Sequence, residues 1–356
     1  MNDVVISTDI STTLTDAVSN IPHDRLFLLC DQTTRQLCLP RVEGLPLLQG
    51  ATLITIGATD TQKNLDSLAH VWTRLSQGGG TRHSLLVNLG GGMVTDLGGF
   101  AASTFKRGIA YVNVPTTLLS MVDASVGGKT GINFAGLKNE IGVFNKPARV
   151  IIDTTFLRTL DHANILSGYA EMLKHGLISD AGHLAELLTF DIDSIDYTAL
   201  SGMVATSIAV KERVVEADPL EHGIRKALNL GHTVGHAFES FCLAHGERAD
   251  RPGIGPVLHG YAVAWGLVCE LYLSCIKTAF PTATMRQAVR FIRENYGQLP
   301  ITCDDYAELL QLMTHDKKNT AGTINFTLLG GIGDIRIDQT ATKDEICESL
   351  DFLREG

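Results

Sequence analysis

Cysteine is scarce and unpaired in this chain of 356 residues: seven are scattered along it, an odd number, and no two are spaced C-x-x-C. Neither a disulfide framework nor a cysteine zinc site fits that spacing. No apolar run reaches the roughly 20 residues that a membrane-spanning helix requires. Positive charge is the scarcer sign, with 29 Lys and Arg against 39 Asp and Glu and a net charge of −10. That balance argues against general nucleic-acid or anionic-membrane binding. It leaves room for an anionic small molecule wherever cations cluster. The first residues, Met1 to Leu14, lack a basic segment followed by an apolar run, so no secretory signal is expected and a cytoplasmic protein is the expectation. Internal repeats and low-complexity tracts are absent.

What is present is a chain able to build a core, 44% hydrophobic, with 35 glycines that predict tight turns and close backbone approaches. Its length predicts roughly two domains. Up to about residue 160, short β-rich runs alternate with helical patterns. Residues 25–30, 51–56, 84–89 and 110–114 read as strands, and Leu65, Leu68, Ala69, Trp72 and Leu75 follow a helical period. Strands separated by helices imply βαβ units and a largely parallel sheet. Beyond residue 160 the texture is helical: 163–178, 198–217, 231–244, 259–278, 283–296 and 304–314. Residues 246–257 hold enough Gly and Pro to form a loop, and 323–329 reads as an isolated strand.

Four groups of residues carry chemical meaning. Gly90-Gly91-Gly92-Met93-Val94-Thr95-Asp96 joins a strand to a helix start, which makes either an anion site or a plain tight turn. It is not G-x-G-x-x-G, because Thr95 stands at the third glycine. Gly127-Gly128-Lys129-Thr130 resembles the end of a P-loop, yet Asp123 occupies the position of its first glycine, which rules out that motif. Glu171 and Lys174 share a helix face at i and i+3, His232 and His236 lie at i and i+4, and His259 opens the next helical stretch. Glu171 with two of these histidines would give zinc three ligands and an open position; the alternative is ordinary packed histidines. Thr233 after His232 excludes H-E-x-x-H. Finally, Arg107, Lys129, Lys138, Lys174, Lys211, Arg225, Lys317 and Lys318 lie near these motifs. In an acidic chain they suggest an anionic substrate, although any single lysine is more often solvated.

The blocks GGGMVTDLGGFAASTFKRG, VPTTLLSMVDASVGGKTGIN, LKNEIGVF, GYAEMLKHG, EHGIRKALNLGHTVGHAFE, HGYAVAWG and HDKK occur in this order. In that order they resemble the 3-dehydroquinate synthase family, more closely than its fold relatives, the glycerol and iron-type alcohol dehydrogenases. The resemblance implies an α/β N-terminal nucleotide-binding domain with a mostly parallel sheet over residues 1–160. An all-α C-terminal domain that binds metal and substrate would follow over 161–356. It implies an NAD- and metal-dependent phosphorus–oxygen lyase of the shikimate route. The enzyme would convert 3-deoxy-D-arabino-heptulosonate 7-phosphate to 3-dehydroquinate and phosphate by transient oxidation, elimination, reduction and aldol closure. The metal would be zinc or cobalt.

Carried over residue by residue, the resemblance places Asp31, Gly91, Gly92, Asp96, Thr116, Thr117 and Lys138 at NAD, with Lys129 near it. Glu171, His232 and His259 would hold the metal. Lys129, Lys211 and Arg225 would grip the substrate carboxylate, and Asp123 and Lys174 its ring hydroxyls. Arg107, Asn139, Asn229, His236 and Lys317 or Lys318 would hold its phosphate, with Arg107 reaching across a homodimer interface. Where the family carries Gly-Glu-x-x-Lys near the adenosine, this chain has Thr59-Asp60-Thr61-Gln62-Lys63, a carboxylate one methylene shorter. The segment between His236 and His259 is also longer than usual. Another sugar-phosphate cyclase or a metal-dependent polyol dehydrogenase is the competing reading. Arg225 and Asn229 favour a substrate with a carboxylate, which the valiolone- and inosose-forming cyclases lack.

Overall fold

The computed structural model describes residues 4–135, 137–246, 254–314 and 324–355. The chain divides into two compact units, one of Met1–Asp161 with Tyr197–Ile208, the other of His162–Asp196 with Ala209–Gly356.

In the first unit, β1 (Val4–Ser7), β2 (Leu26–Asp31), β3 (Thr52–Ile56), β4 (Leu85–Gly90), β5 (Ala110–Pro115) and β8 (Arg149–Asp153) form one sheet. Its six strands run in the order β1-β8-β5-β4-β2-β3, every pair parallel. Between β5 and β8, an antiparallel hairpin of β6 (Lys129–Phe134) and β7 (Leu137–Phe144) stands apart from that sheet. The connecting helices are α1 (Ile10–Ser19), α2 (Gln32–Leu37), α3 (Leu65–Gln77) and α4 (Gly92–Thr104). β2 and β4 are apolar on both faces and buried almost throughout, as a parallel sheet covered on two sides demands. Leu29, Ile54, Leu86 and Tyr111 of the sheet pack with Leu68, Val71 and Leu75 of α3 and Val94 and Leu97 of α4.

Strand order reverses between β2 and β4: from β2 the chain steps outward to β3, and from β4 it steps the other way to β5. Open α/β sheets bind ligands outside the carboxyl ends of the strands at such a point. The residues there are Asp31 and the Gly90-Gly91-Gly92 turn.

The second unit contains α5 (His162–Ser179), α6 (Ala181–Thr189), the C-terminal part of α7 (Tyr197–Ala217), α8 (His232–His245), α9 (His259–Thr278), α10 (Thr282–Tyr296), α11 (Tyr306–Thr314) and α12 (Lys343–Glu355). It is helical as expected, with one addition. The strand expected near 323–329 is β9 (Asn325–Gly331), and it is not isolated but pairs antiparallel with β10 (Asp334–Thr340). Among the described residues no helix is long and apolar enough to cross a membrane.

Candidate active site

The centre of the second unit is set by glycines. Gly231 precedes α8 at φ +80, and a Cβ there would lie 2.9 Å from the Leu267 side chain and 3.1 Å from the Val263 carbonyl. A Cβ on Gly266 would come within 2.0 Å of the Gly231 carbonyl, and one on Gly260 within 1.9 Å of the Ser167 carbonyl. Those are backbone atoms that no rotamer change can move aside. The bare backbone at these positions lets α9 lie against both α8 and α5. The amide of Gly260 donates to Ser167 Oγ at 3.1 Å, which pins the first turn of α9 to α5. Glu270, within the apolar stretch of α9, reaches across to accept the amides of Gly231 at 2.6 Å, Thr233 at 3.0 Å and Val234 at 3.2 Å. A buried carboxylate thus satisfies the orphan donors at the start of α8 and fixes where His232 stands.

This packing brings Glu171 of α5, His232 of α8 and His259 of α9 together. Glu171 is fully buried, and its Oε1 lies 3.4 Å from His232 Nε2 and 3.5 Å from His259 Nε2. Tetrahedral ligands at roughly 2.0–2.2 Å from an ion are separated from one another by roughly 3.3–3.6 Å. The three groups therefore fit a divalent cation of that size. Lys174 Nζ is in ion-pair contact with Glu171 Oε2, yet neither carboxylate oxygen receives a well-directed hydrogen bond.

Electrostatics agree with the geometry. Burial opposes the charge of Glu171, but the Lys174 ammonium and the neighbouring imidazoles hold its carboxyl well below the usual range. Burial and then Lys174 push His232 well below the ordinary histidine value, so it is neutral. Its Nδ1 faces the Leu230 carbonyl at 3.1 Å, which leaves the Nε2 lone pair directed inward. Burial also opposes charge on His259, but Glu239 and Glu171 outweigh it and raise that group to about 10. The carboxylates call for a cation, and without an ion a proton on His259 supplies it. His236 stands beside the trio, its ring 5.2 Å from His232 and 5.9 Å from His259.

Other expected substrate residues of this unit lie on α7 (Lys211) and, past the loop 218–223, on the short helix Ile224–Asn229 (Arg225 and Asn229). Lys211 and Arg225 are buried, Arg225 to 1% exposure, with its Nη1 donating to the Pro219 carbonyl at 2.6 Å. Asp218 organises this loop by accepting the amides of His222, Gly223 and Arg225. Asn229 donates to Glu221 Oε1 at 3.1 Å, and Glu221 sits at φ 62, a strained value for a side-chain-bearing residue. Lys317 and Lys318 lie outside the described residues.

In the first unit the nucleotide residues form their own group. A Cβ on Gly91 would lie 3.0 Å from Thr117 Cγ2, a close approach that the threonine side chain would have to ease, and the Thr116 amide donates to the Gly90 carbonyl at 3.0 Å. Asp31 is buried and caps its own helix, accepting from the Thr34 amide at 2.8 Å. Lys63 is buried, with Nζ donating to Asp96 Oδ2 and Asn139 Oδ1. Asp60, although shorter than the family residue, meets Lys138 at 3.2 Å and receives Asn133 Nδ2. Asn139 thus joins the Lys63 group, alongside the residues expected at the cofactor. Lys129 is exposed at the start of β6, after Gly127 at φ 105 and Gly128 at φ 72, and Asp123 lies half-buried on the turn before them. Arg107 is exposed at φ 70, next to Lys106 at φ 50, and lines an open surface depression with Thr81, Arg82 and Thr104.

Sequence reasoning did not single out Glu221, Asn133, Glu239 or Glu270. A signal existed for two. Glu239 lies seven residues after His232, on the same side of α8, and Glu270 is a lone acid inside an apolar helix. Nothing local marks Glu221 or Asn133.

Residues 53–167 match the family described as 3-dehydroquinate synthase N-terminal, and residues 168–319 the one described as 3-dehydroquinate synthase C-terminal. A 3-dehydroquinate synthase of Parabacteroides distasonis is 55% identical over 353 residues, 99% of this chain and 98% of the relative. Among solved structures, 2-epi-5-epi-valiolone synthase from Streptomyces hygroscopicus subsp. jinggangensis, with NAD+ and Zn2+ bound, is 25% identical at a TM-score of 0.85. That match covers 100% of this chain and 97% of the other. A 2-deoxy-scyllo-inosose synthase complexed with carbaglucose-6-phosphate, NAD+ and Co2+ shares the fold at a TM-score of 0.81 and 21% identity, covering 99% and 96%.

Proposed function

The chain belongs to the 3-dehydroquinate synthase family, and from that premise we propose how its residues divide the work. The overall conversion, 3-deoxy-D-arabino-heptulosonate 7-phosphate to 3-dehydroquinate and phosphate, breaks a phosphate ester and closes a ring with no net oxidation. Asp31, Asp60, Lys63, Gly91, Gly92, Asp96, Thr116, Thr117, Lys129 and Lys138 serve NAD. Glu171, His232 and His259 hold a divalent cation, zinc or cobalt. When bound, the cation supplies Lewis-acid polarisation of a ring hydroxyl and the nicotinamide a reversible hydride acceptor.

The side chains orient the substrate and offset its charge. Lys211 and Arg225 present cations in a dry setting and, with Lys129, neutralise the carboxylate. Lys174, fixed against Glu171, and Asp123 position the ring hydroxyls. Arg107, Asn229, His236 and Lys317 hold the phosphate, and Asn139, whose Oδ1 accepts from Lys63, adds the donor of its amide. A site made largely of Lys, Arg, Asn and His suits chemistry in which placement and charge stabilisation dominate. Residues 1–160 then serve the nucleotide and 161–356 the metal and most of the substrate. The working form in this reading is a cytoplasmic homodimer, with Arg107 shared across its interface.

The observation that carries the proposal is the inward-facing Glu171, His232 and His259 at ligand-to-ligand spacing. The test is to incubate the metal-loaded protein with the heptulosonate phosphate and a trace of NAD. Phosphate release without NADH accumulation is expected. Stoichiometric NADH would mark a polyol dehydrogenase instead.

A further inference from the structure

We infer that Glu239 is a positioning residue for the metal centre: its carboxylate keeps the proton of His259 on Nδ1 and so aims Nε2 at the ion. The inference rests on the metal ligands proposed above. His259 stands between two carboxylates, one at each ring nitrogen. Nε2 is 3.5 Å from Glu171 Oε1, and Nδ1 is 3.4 Å from Glu239 Oε2, a long hydrogen bond. A neutral imidazole offers one N–H and one lone pair. Glu171 also faces His232, so the ion belongs on the Nε2 side and the proton on the Glu239 side. Glu239 is itself buried, which holds its carboxylate in a fixed place.

The two histidine ligands are therefore fixed by different means. His232 is held by a backbone carbonyl, a neutral acceptor that no side-chain substitution removes. His259 is held by an anion, which makes its imidazole the stronger donor to a cation. Glu239 projects from α8, which also carries His232, while His259 opens α9. One helix thus supplies one ligand and orients another on its neighbour. The competing arrangement is a second ion held by His236, Glu239 and His259, whose ligand atoms also converge. It would need Nδ1 of His259 as a ligand and would abolish the hydrogen bond.

The test uses the full chain with Glu239→Gln and Glu239→Ala. Zinc affinity is measured by chelator competition, stoichiometry by elemental analysis and geometry by the visible spectrum of the cobalt form. Glutamine keeps an acceptor of the same shape and loses only the charge, so zinc should bind about tenfold more weakly, while alanine should cost about a hundredfold, within the usual range for such partners. The alanine variant alone should also shift the cobalt bands, because the ring is no longer held. Should the alanine chain misfold, shown by a lost unfolding transition without metal, the glutamine chain decides. Zinc affinity in Glu239→Gln equal to wild type overturns the inference, and so does a second equivalent of zinc in wild type that both variants lose. A wild-type chain that binds no zinc overturns the ligand set itself.

Discussion

For single residues the governing question is how charge is kept in a dry interior. Glu171 is ionised and His232 neutral before any ion arrives, whereas His259 is raised to about 10 by Glu239 and Glu171. Zinc binding near neutral pH should therefore release about one proton, from His259. Because protons compete below that value, apparent zinc affinity should fall about tenfold for each pH unit lowered. Calorimetry in buffers of different ionisation enthalpy counts the proton; zero or two would contradict the assignment. Arg225 poses the opposite case, a cation buried to 1% exposure whose Nη1 donates to the Pro219 carbonyl. A charge-assisted hydrogen bond contributes roughly 1.5–3 kcal/mol, so Arg225→Ala should lower kcat/KM by about one to two powers of ten. Sedoheptulose 7-phosphate, which lacks the carboxylate, should be used poorly by wild type and lose less in the variant. The convergence of Glu171, His232 and His259 was legible because each lies in a recognisable block. Glu221 and Glu239 were not singled out, since their meaning comes from what folding places opposite them.

Secondary-structure elements depend on bare backbone where helices meet. Gly266 and Gly202 make a controlled pair, both inside helices. A Cβ on Gly266 meets the Gly231 carbonyl at 2.0 Å, while one on Gly202 meets nothing within 4 Å. Gly266→Ala should destabilise the fold by about 3 kcal/mol and weaken zinc binding by displacing α8 from α9. Gly202→Ala should instead stabilise by about 0.5–1 kcal/mol. Urea denaturation of the two variants, with wild type between them, checks both signs; a neutral Gly266→Ala would show that the helices can separate at no cost. The long elements were readable from periodicity, as α10 shows, where Met285, Ala288, Val289, Ile292 and Tyr296 recur at helical spacing and are buried. The hairpins were not. β7 is exposed at every position, and the apolar face of β10 is only Ile335 and Ile337, both half-buried, so each signal is short and weak. Their pairing is a tertiary outcome.

For the whole molecule, an acidic chain of net charge −10 must attract a substrate that carries both a carboxylate and a phosphate. If Arg107 completes the neighbouring subunit's site, mixing Arg107→Ala with His236→Ala should restore activity that neither variant has, since each hybrid dimer holds one intact site. The check is a rate assay after subunit exchange has been confirmed, and no recovery would show that each site is complete within its own chain. The way α8 is built bears on that proposal. A helix start is a common seat for phosphate, because its amides point outward and its dipole is positive there. In this protein Glu270 already occupies that seat through Gly231, Thr233 and Val234. The helix's affinity for anions is consumed internally, as mortar between α8 and α9. In the proposed reading phosphate capture is left to lysine, arginine and histidine side chains, whose reach is adjustable and whose attraction salt can screen.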